Sequence, residues 1–120
     1  MEDIISISKA MDSCNIGIRS AVSQLKERGT KKAEAIGNYE KEIAKTIVML
    51  KMGKVFDLDG VTIKETSASN VEKIASGVCY RESISKELAE IEYKNLIVGI
   101  ESLQSELNSL QSRYRHLDNK

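Results

Sequence analysis

The chain has 120 residues, with 18 Lys plus Arg against 18 Asp plus Glu, one His, two Cys, and neither Pro nor Trp. That length fits one domain, and a formal net charge of zero excludes bulk electrostatic attraction to nucleic acid or to an anionic membrane. Aromatic residues make up 4% and charged ones 30%, so the core must be built from Ile, Leu, Val, Met and Ala, and the absence of Pro favours long helices over a many-turned β fold.

From Ile4 the apolar positions recur at Ile7, Met11, Cys14, Ile18, Val22 and Leu25, in steps of three and four that define one face of a helix. A second stretch, Ile36, Tyr39, Ile43, Ile47 and Leu50, continues the period. The spacing predicts one helix over about 3–52, with Gly29 as the point where it would break and Thr30 as the cap of the piece that followed. Gly53, with the basic Lys51 in the turn before it, reads as its stop, because glycine takes the left-handed conformation cheaply.

Residues 54–66 are dense in β-formers, namely Val55, Phe56, Leu58, Val61 and Ile63, around the tight-turn dipeptide Asp59-Gly60. A short β-like hairpin is expected there, as the tip of a connection spanning 53–68. Ser69 and Glu72 form a Ser-x-x-Glu pattern, predicting a second helix over about 69–117. Its first part uses Val71, Ile74, Val78, Ile84, Leu88 and Ile91. Its second part uses Tyr93, Leu96, Ile100, Leu103, Leu107, Leu110, Tyr114 and Leu117, a heptad seam.

Two such helices joined by a short connection must lie antiparallel. The expected architecture is therefore mainly all-α, a single domain formed by a long antiparallel helical hairpin or coiled coil. With the fold-back near Asp59 to Val61, residue i meets roughly residue 120 minus i. Cys79 then falls near position 41, about 40 Å along the axis from Cys14, too far for a disulfide. Ile43, Ile47, Leu50, Leu96, Ile100, Leu103, Leu107 and Leu110 are the expected assembly seam. Val48, Met49, Ile97 and Val98 remain partly exposed, which predicts self-association into a dimer or tetramer, or capture of another protein.

Few residues suggest chemistry. The string Val55-Phe56-Asp57-Leu58-Asp59-Gly60-Val61 resembles the first motif of the haloacid-dehalogenase phosphatase superfamily, which implies Asp57 as nucleophile and Asp59 as acid or base. The later Lys, Ser or Thr and acidic pair on successive strands of a parallel sheet are missing, so the bland reading is a turn. As a calcium loop the same string fails, because its twelfth position is Ala68. His116 is the only histidine, and Cys14 and Cys79 carry no CxxC spacing, so no metal, cofactor or catalytic site is expected. Both cysteines read as buried and unreactive, in a reducing cytosol.

Lys26, Arg28, Lys31, Lys32, Arg113 and Arg115 could contact a polyanion, the two clusters falling two or three helical turns apart in the hairpin. Glu27, Glu34 and Asp118 sit among them without an aromatic platform, which favours a solvated face. The tip residues Phe56, Asp57, Asp59 and Ile63 are the alternative contact surface. Acids at Glu2 and Asp3 do not suit a secretion signal, and the apolar runs Ile47 to Leu50 and Leu96 to Ile100 are too short to span a bilayer.

The second half also resembles small helical proteins of temperate phages and prophages of low-GC Gram-positive bacteria. The likeness rests on the run Val71 to Gly77, on Ala89-Glu90-Ile91-Glu92-Tyr93-Lys94, and on Leu107-Asn108-Ser109-Leu110-Gln111-Ser112. The stretch from Glu27 through Tyr39 to Gly53 is similar in kind. The resemblance implies a non-enzymatic accessory protein in the host cytoplasm that binds a macromolecule. It would be an inhibitor of an antiviral defence protein (anti-CRISPR-like), or a nucleic-acid-binding accessory of recombination or replication. A phosphatase is the remote alternative.

Overall fold

A computed structural model of the chain describes residues 3–64 and 67–119. Asp3 caps the first helix, its Oδ1 accepting the Ser6 backbone N–H at 2.7 Å. Helix α1 (Ile4–Lys51) then runs for 48 residues without interruption at Gly29. It ends in a Schellman motif: the Gly53 N–H donates to the Leu50 carbonyl and the Lys54 N–H to that of Met49, with Gly53 at φ +84°.

Strands β1 (Phe56–Leu58) and β2 (Val61–Ile63) pair antiparallel, Phe56 opposite Ile63 and Leu58 opposite Val61. The turn between them holds Asp59 at φ +50° and Gly60 at φ +84°, the two positive values of a type I′ turn that Asp-Gly favours. Phe56 and Ile63, cross-strand neighbours, are half-buried, while Asp57 and Thr62 on the other face are exposed.

Two expectations for the second helical stretch fail. The capping pattern at Ser69 is not used: Ser69 pairs with the Ser67 hydroxyl at 3.2 Å, and helix α2 (Val71–Val78) starts after Asn70 with no side-chain cap. The predicted single helix over 69–117 is also divided. Cys79, at φ −95° and ψ 27°, leaves helical geometry between α2 and α3 (Tyr80–Asp118). At this break Cys79 is buried and bonded to Thr46.

The chain forms two compact units, one joining the segment up to Gly29 with that from Glu92, the other formed by Thr30–Ile91. Within each, α1 pairs antiparallel with α3, so the fold is a mainly α helical hairpin with a two-stranded tip. In the first unit Gly17 faces Leu103 and Arg28 faces Glu92, pairs whose numbers sum to 120 as the fold-back centre requires. Its core is Ile7, Cys14 and Leu110, with Met11, Leu107, Tyr114 and Leu117 packed around them. In the second unit Leu50, Val71 and Ala75 form the core, joined by Ile43, Ile47, Phe56 and Ile74. Cys79 there meets Thr46 and not the expected position 41. Among the described residues no helix is long and apolar enough to cross a membrane.

Candidate assembly surface

The seam residues chosen from the sequence face inward. Leu107 and Leu110 pack against Ile7 and Cys14, and Leu103 lies over Gly17, where an added Cβ would stand 3.0 Å from Leu103 Cδ1. Leu96 and Ile100, on the same heptad face, are half-buried. Ile43, Ile47 and Leu50 are held by α2 and the tip. The seam is therefore used within the chain, and contacts with other molecules fall to what the hairpin leaves outside.

That outer surface differs from the expected one. Ile84, Leu88 and Ile91, which periodicity placed on the packed face, are 52%, 56% and 52% exposed. The break at Cys79 resets the phase, and α3 packs through Lys86, Ala89 and Tyr93 instead. On α1, Val22 and Ile4 are exposed as well, the packed positions being Ala21 and Ile7. Val48 and Val98 are exposed, and Met49 and Ile97 half-buried, so all four keep the partial exposure expected of them.

In the second unit these exposed residues align. Ala44 and Val48 on the back of α1 and Met52 just past its end follow one another every four residues, with Met52 80% exposed. A shallow depression of about 350 Å³ lies there, lined by Ala44, Lys45, Val48 and Met49. Along α3, Tyr80, Ile84, Leu88 and Ile91 form a second outward stripe. Lys41, Lys45 and Lys51 border the first stripe with one acid, Glu40; the second is bordered by Glu87 on one side and Arg81 on the other.

The other candidate residues are dispersed or already engaged. At the tip, Phe56 packs into the second core under the Lys54 ammonium, 5.3 Å from its ring centroid, while Asp57 and Asp59 are exposed. The Asp57–Gly60 string forms a hairpin turn, without the strand-turn-helix context of phosphoryl transfer. Of the basic residues, Arg28 is bound to Glu92 at 2.8 Å, and Lys32 is half-buried. Lys26, Lys31 and Arg113 are exposed, and Arg115 Nε donates to the Gln111 carbonyl at 3.5 Å. The first unit's register puts Arg113 across from Ile7, and from there to Lys26 is about 28 Å of helix. The two basic clusters are thus about five turns apart, not the two or three expected.

Both thiols are buried and free. Burial pushes the Cys14 thiol up from its ordinary value, and the Glu106 carboxylate adds to this by its charge and as a hydrogen-bond partner. Thr46 is a buried polar residue whose hydroxyl donates to the Glu42 carbonyl at 2.8 Å. With that proton committed, the Cys79 thiol, 3.3 Å away, is the donor to Thr46 Oγ1. No cluster of His, Cys, Asp and Glu suited to a metal occurs among the described residues.

No protein-family model matches the chain, and neither a curated protein nor a solved structure is significantly similar to it.

Proposed function

We propose that this protein acts by binding, as an assembly of helical hairpins, and not by catalysis. The observation that carries this reading is the ordering of apolar side chains on the outside. Among the described residues thirteen large apolar side chains are exposed, against seven apolar residues that are buried. Scattered exposed Leu or Ile is ordinary, but two continuous stripes on the outer faces of one unit are what an interaction surface requires. A cytoplasmic accessory role of the phage type, as an inhibitor of a defence protein or as a partner in DNA metabolism, is compatible with such a surface.

Light scattering with small-angle X-ray scattering over a concentration series tests the reading. A mass above the 13.3 kDa of one chain, rising with concentration, is the expected result. A monomer at every concentration that also retains no protein or nucleic acid would overturn it. Steep salt dependence of DNA or RNA binding, lost on neutralising Lys26, Arg28, Lys31, Lys32, Arg113 and Arg115, would move the proposal to a nucleic-acid accessory.

A further inference from the structure

We infer that the two outward stripes of the second unit are complementary halves of one interface, the α1 stripe of one copy receiving the α3 stripe of a second copy with the two helices parallel. This rests on the binding reading above and names the occupant. Three observations favour it.

The first is length. Ala44 to Met52 rises about 12 Å and Ile84 to Ile91 about 10 Å, so these two stretches match in length, with Tyr80 extending the α3 stripe by one turn. The second is shape. The α1 stripe has small Ala44 beside a depression lined by Lys45, Val48 and Met49, whereas the α3 stripe projects branched Ile84, Leu88 and Ile91. Projections meeting a hollow is the geometry that helix packing needs.

The third is charge. The α1 stripe is bordered mainly by lysines, and the acid beside the α3 stripe is Glu87. Packing α1 on α1 would bring the Lys41, Lys45 and Lys51 borders of two copies together; the mixed pairing removes that repulsion and sets Lys45 beside Glu87.

Direction follows from the borders. Lys45 lies on one side of the α1 stripe and Glu40 on the other; Glu87 and Arg81 lie on the opposite sides of the α3 stripe. In parallel helices the flanking position before one stripe meets the one after its partner. An offset of about forty residues then seats Ala44 against Ile84, Val48 against Leu88 and Met52 near Ile91, and brings Lys45 to Glu87 and Glu40 to Arg81. The present contacts of these bases are weak and exposed: Lys45 is 3.5 Å from Glu42, and Arg81 Nε is 3.1 Å from the Tyr80 hydroxyl. Both can exchange partners at little cost.

Such a contact is heterologous, since different faces of the two copies meet, so each added copy leaves one α1 stripe and one α3 stripe open. That property gives a decisive test on the full-length chain. Val48→Glu destroys only the α1 half and Leu88→Lys only the α3 half, and both positions are exposed, so circular dichroism should show unchanged helicity. Each variant alone is expected to run as a 13.3 kDa monomer, and an equimolar mixture as a 1:1 heterodimer that grows no further. Lys45→Glu and Glu87→Lys should each lower the assembled fraction, and the double variant should restore it. If the unaltered chain assembles but both stripe variants keep its mass, the inference falls while the binding reading stands. A mixture that stays monomeric overturns the heterologous pairing, and an unaltered chain that is monomeric throughout overturns the assembly itself.

Discussion

Replacing Leu110 by Ala measures the hairpin seam most directly. Leu110 is 4% exposed and touches the cluster of Ile7 and Cys14 from the opposite helix. Removing three carbon atoms forfeits about 2.4 kcal/mol of transfer free energy at ~0.8 kcal/mol per methylene. In a deeply enclosed core a cavity would raise the loss further, to about 5 kcal/mol. Here the surrounding Leu107, Tyr114 and Leu117 are only half-buried, so water reaches the gap and the expected loss is about 2–3 kcal/mol. Leu103→Ala, on a half-buried side chain, should cost about 1–2 kcal/mol, and Leu88→Ala, at 56% exposure, under about 0.5 kcal/mol. Urea unfolding followed by circular dichroism reads the difference, as a midpoint shift of roughly 1–2 M for Leu110→Ala. Association couples stability to concentration, so the comparison belongs at the lowest concentration that gives signal. A loss below about 1 kcal/mol at Leu110, or a larger one at Leu88, would mean that the packed and outward faces of α3 have been exchanged.

Four further outcomes are expected. Gly60→Ala forces a Cβ into φ +84° and should cost about 1–2 kcal/mol by urea midpoint, whereas Gly99→Ala, mid-helix with open space around it, should gain about 0.5–1 kcal/mol. Arg28→Ala breaks a partly exposed pair with Glu92 and should cost no more than about 1 kcal/mol, a difference that shrinks in high salt. Because the folded state raises the Cys14 thiol, it keeps a proton that the unfolded chain gives up; stability should therefore fall as pH rises above the ordinary thiol range of about 8.5. Urea midpoints at about pH 7.5 and about pH 9.5 test this, and Cys14→Ala should flatten that part of the slope. Finally, both buried thiols should resist a disulfide reagent in the folded chain and react in urea.

The parts of the fold legible in the sequence are those set by local rules. Asp59-Gly60 demanded a turn with two positive φ values, Gly53 a left-handed stop, and the Leu-rich heptad from Tyr93 to Leu117 a packed face; all three stand in the structure. The α1 face was harder to read, because Ile4-Ile5, Ala21-Val22 and Ile47-Val48 each offer two neighbouring apolar positions. Small or polar residues occupy much of the seam, among them Gly17, Ala21, Arg28, Gly29 and Thr46. These let the helices approach, with Leu103 over Gly17 and Tyr93 against Gly29, a fit that hydrophobicity alone does not reveal.

The break at Cys79 has no Pro, and Gly77 two residues before it stays helical, so periodicity runs on through it and puts Ile84, Leu88 and Ile91 one face away from where they lie. Extending the heptad backwards from Tyr93 to Ala89 and Lys86 would have found the correct phase, and with it the outward stripe. A basic residue at Lys86 hid this: its ammonium sits over the Tyr39 ring, 4.6 Å from the centroid, and so is tolerated on a packed face.

The tip and the terminal cluster differ in what must happen before each can form. The Asp59-Gly60 turn joins residues almost adjacent in the chain, and a two-residue hairpin of this kind closes in about 1–10 μs. The contact of Ile7 with Leu110 closes a loop of roughly a hundred residues, whose entropic cost falls only as intervening helix pairs zip together. Loop entropy therefore makes the tip the first contact expected to close, and that of Ile7, Cys14 and Leu110 the last. The terminal core should accordingly slow unfolding without hastening folding, acting as a clasp on a register chosen in the middle of the sequence.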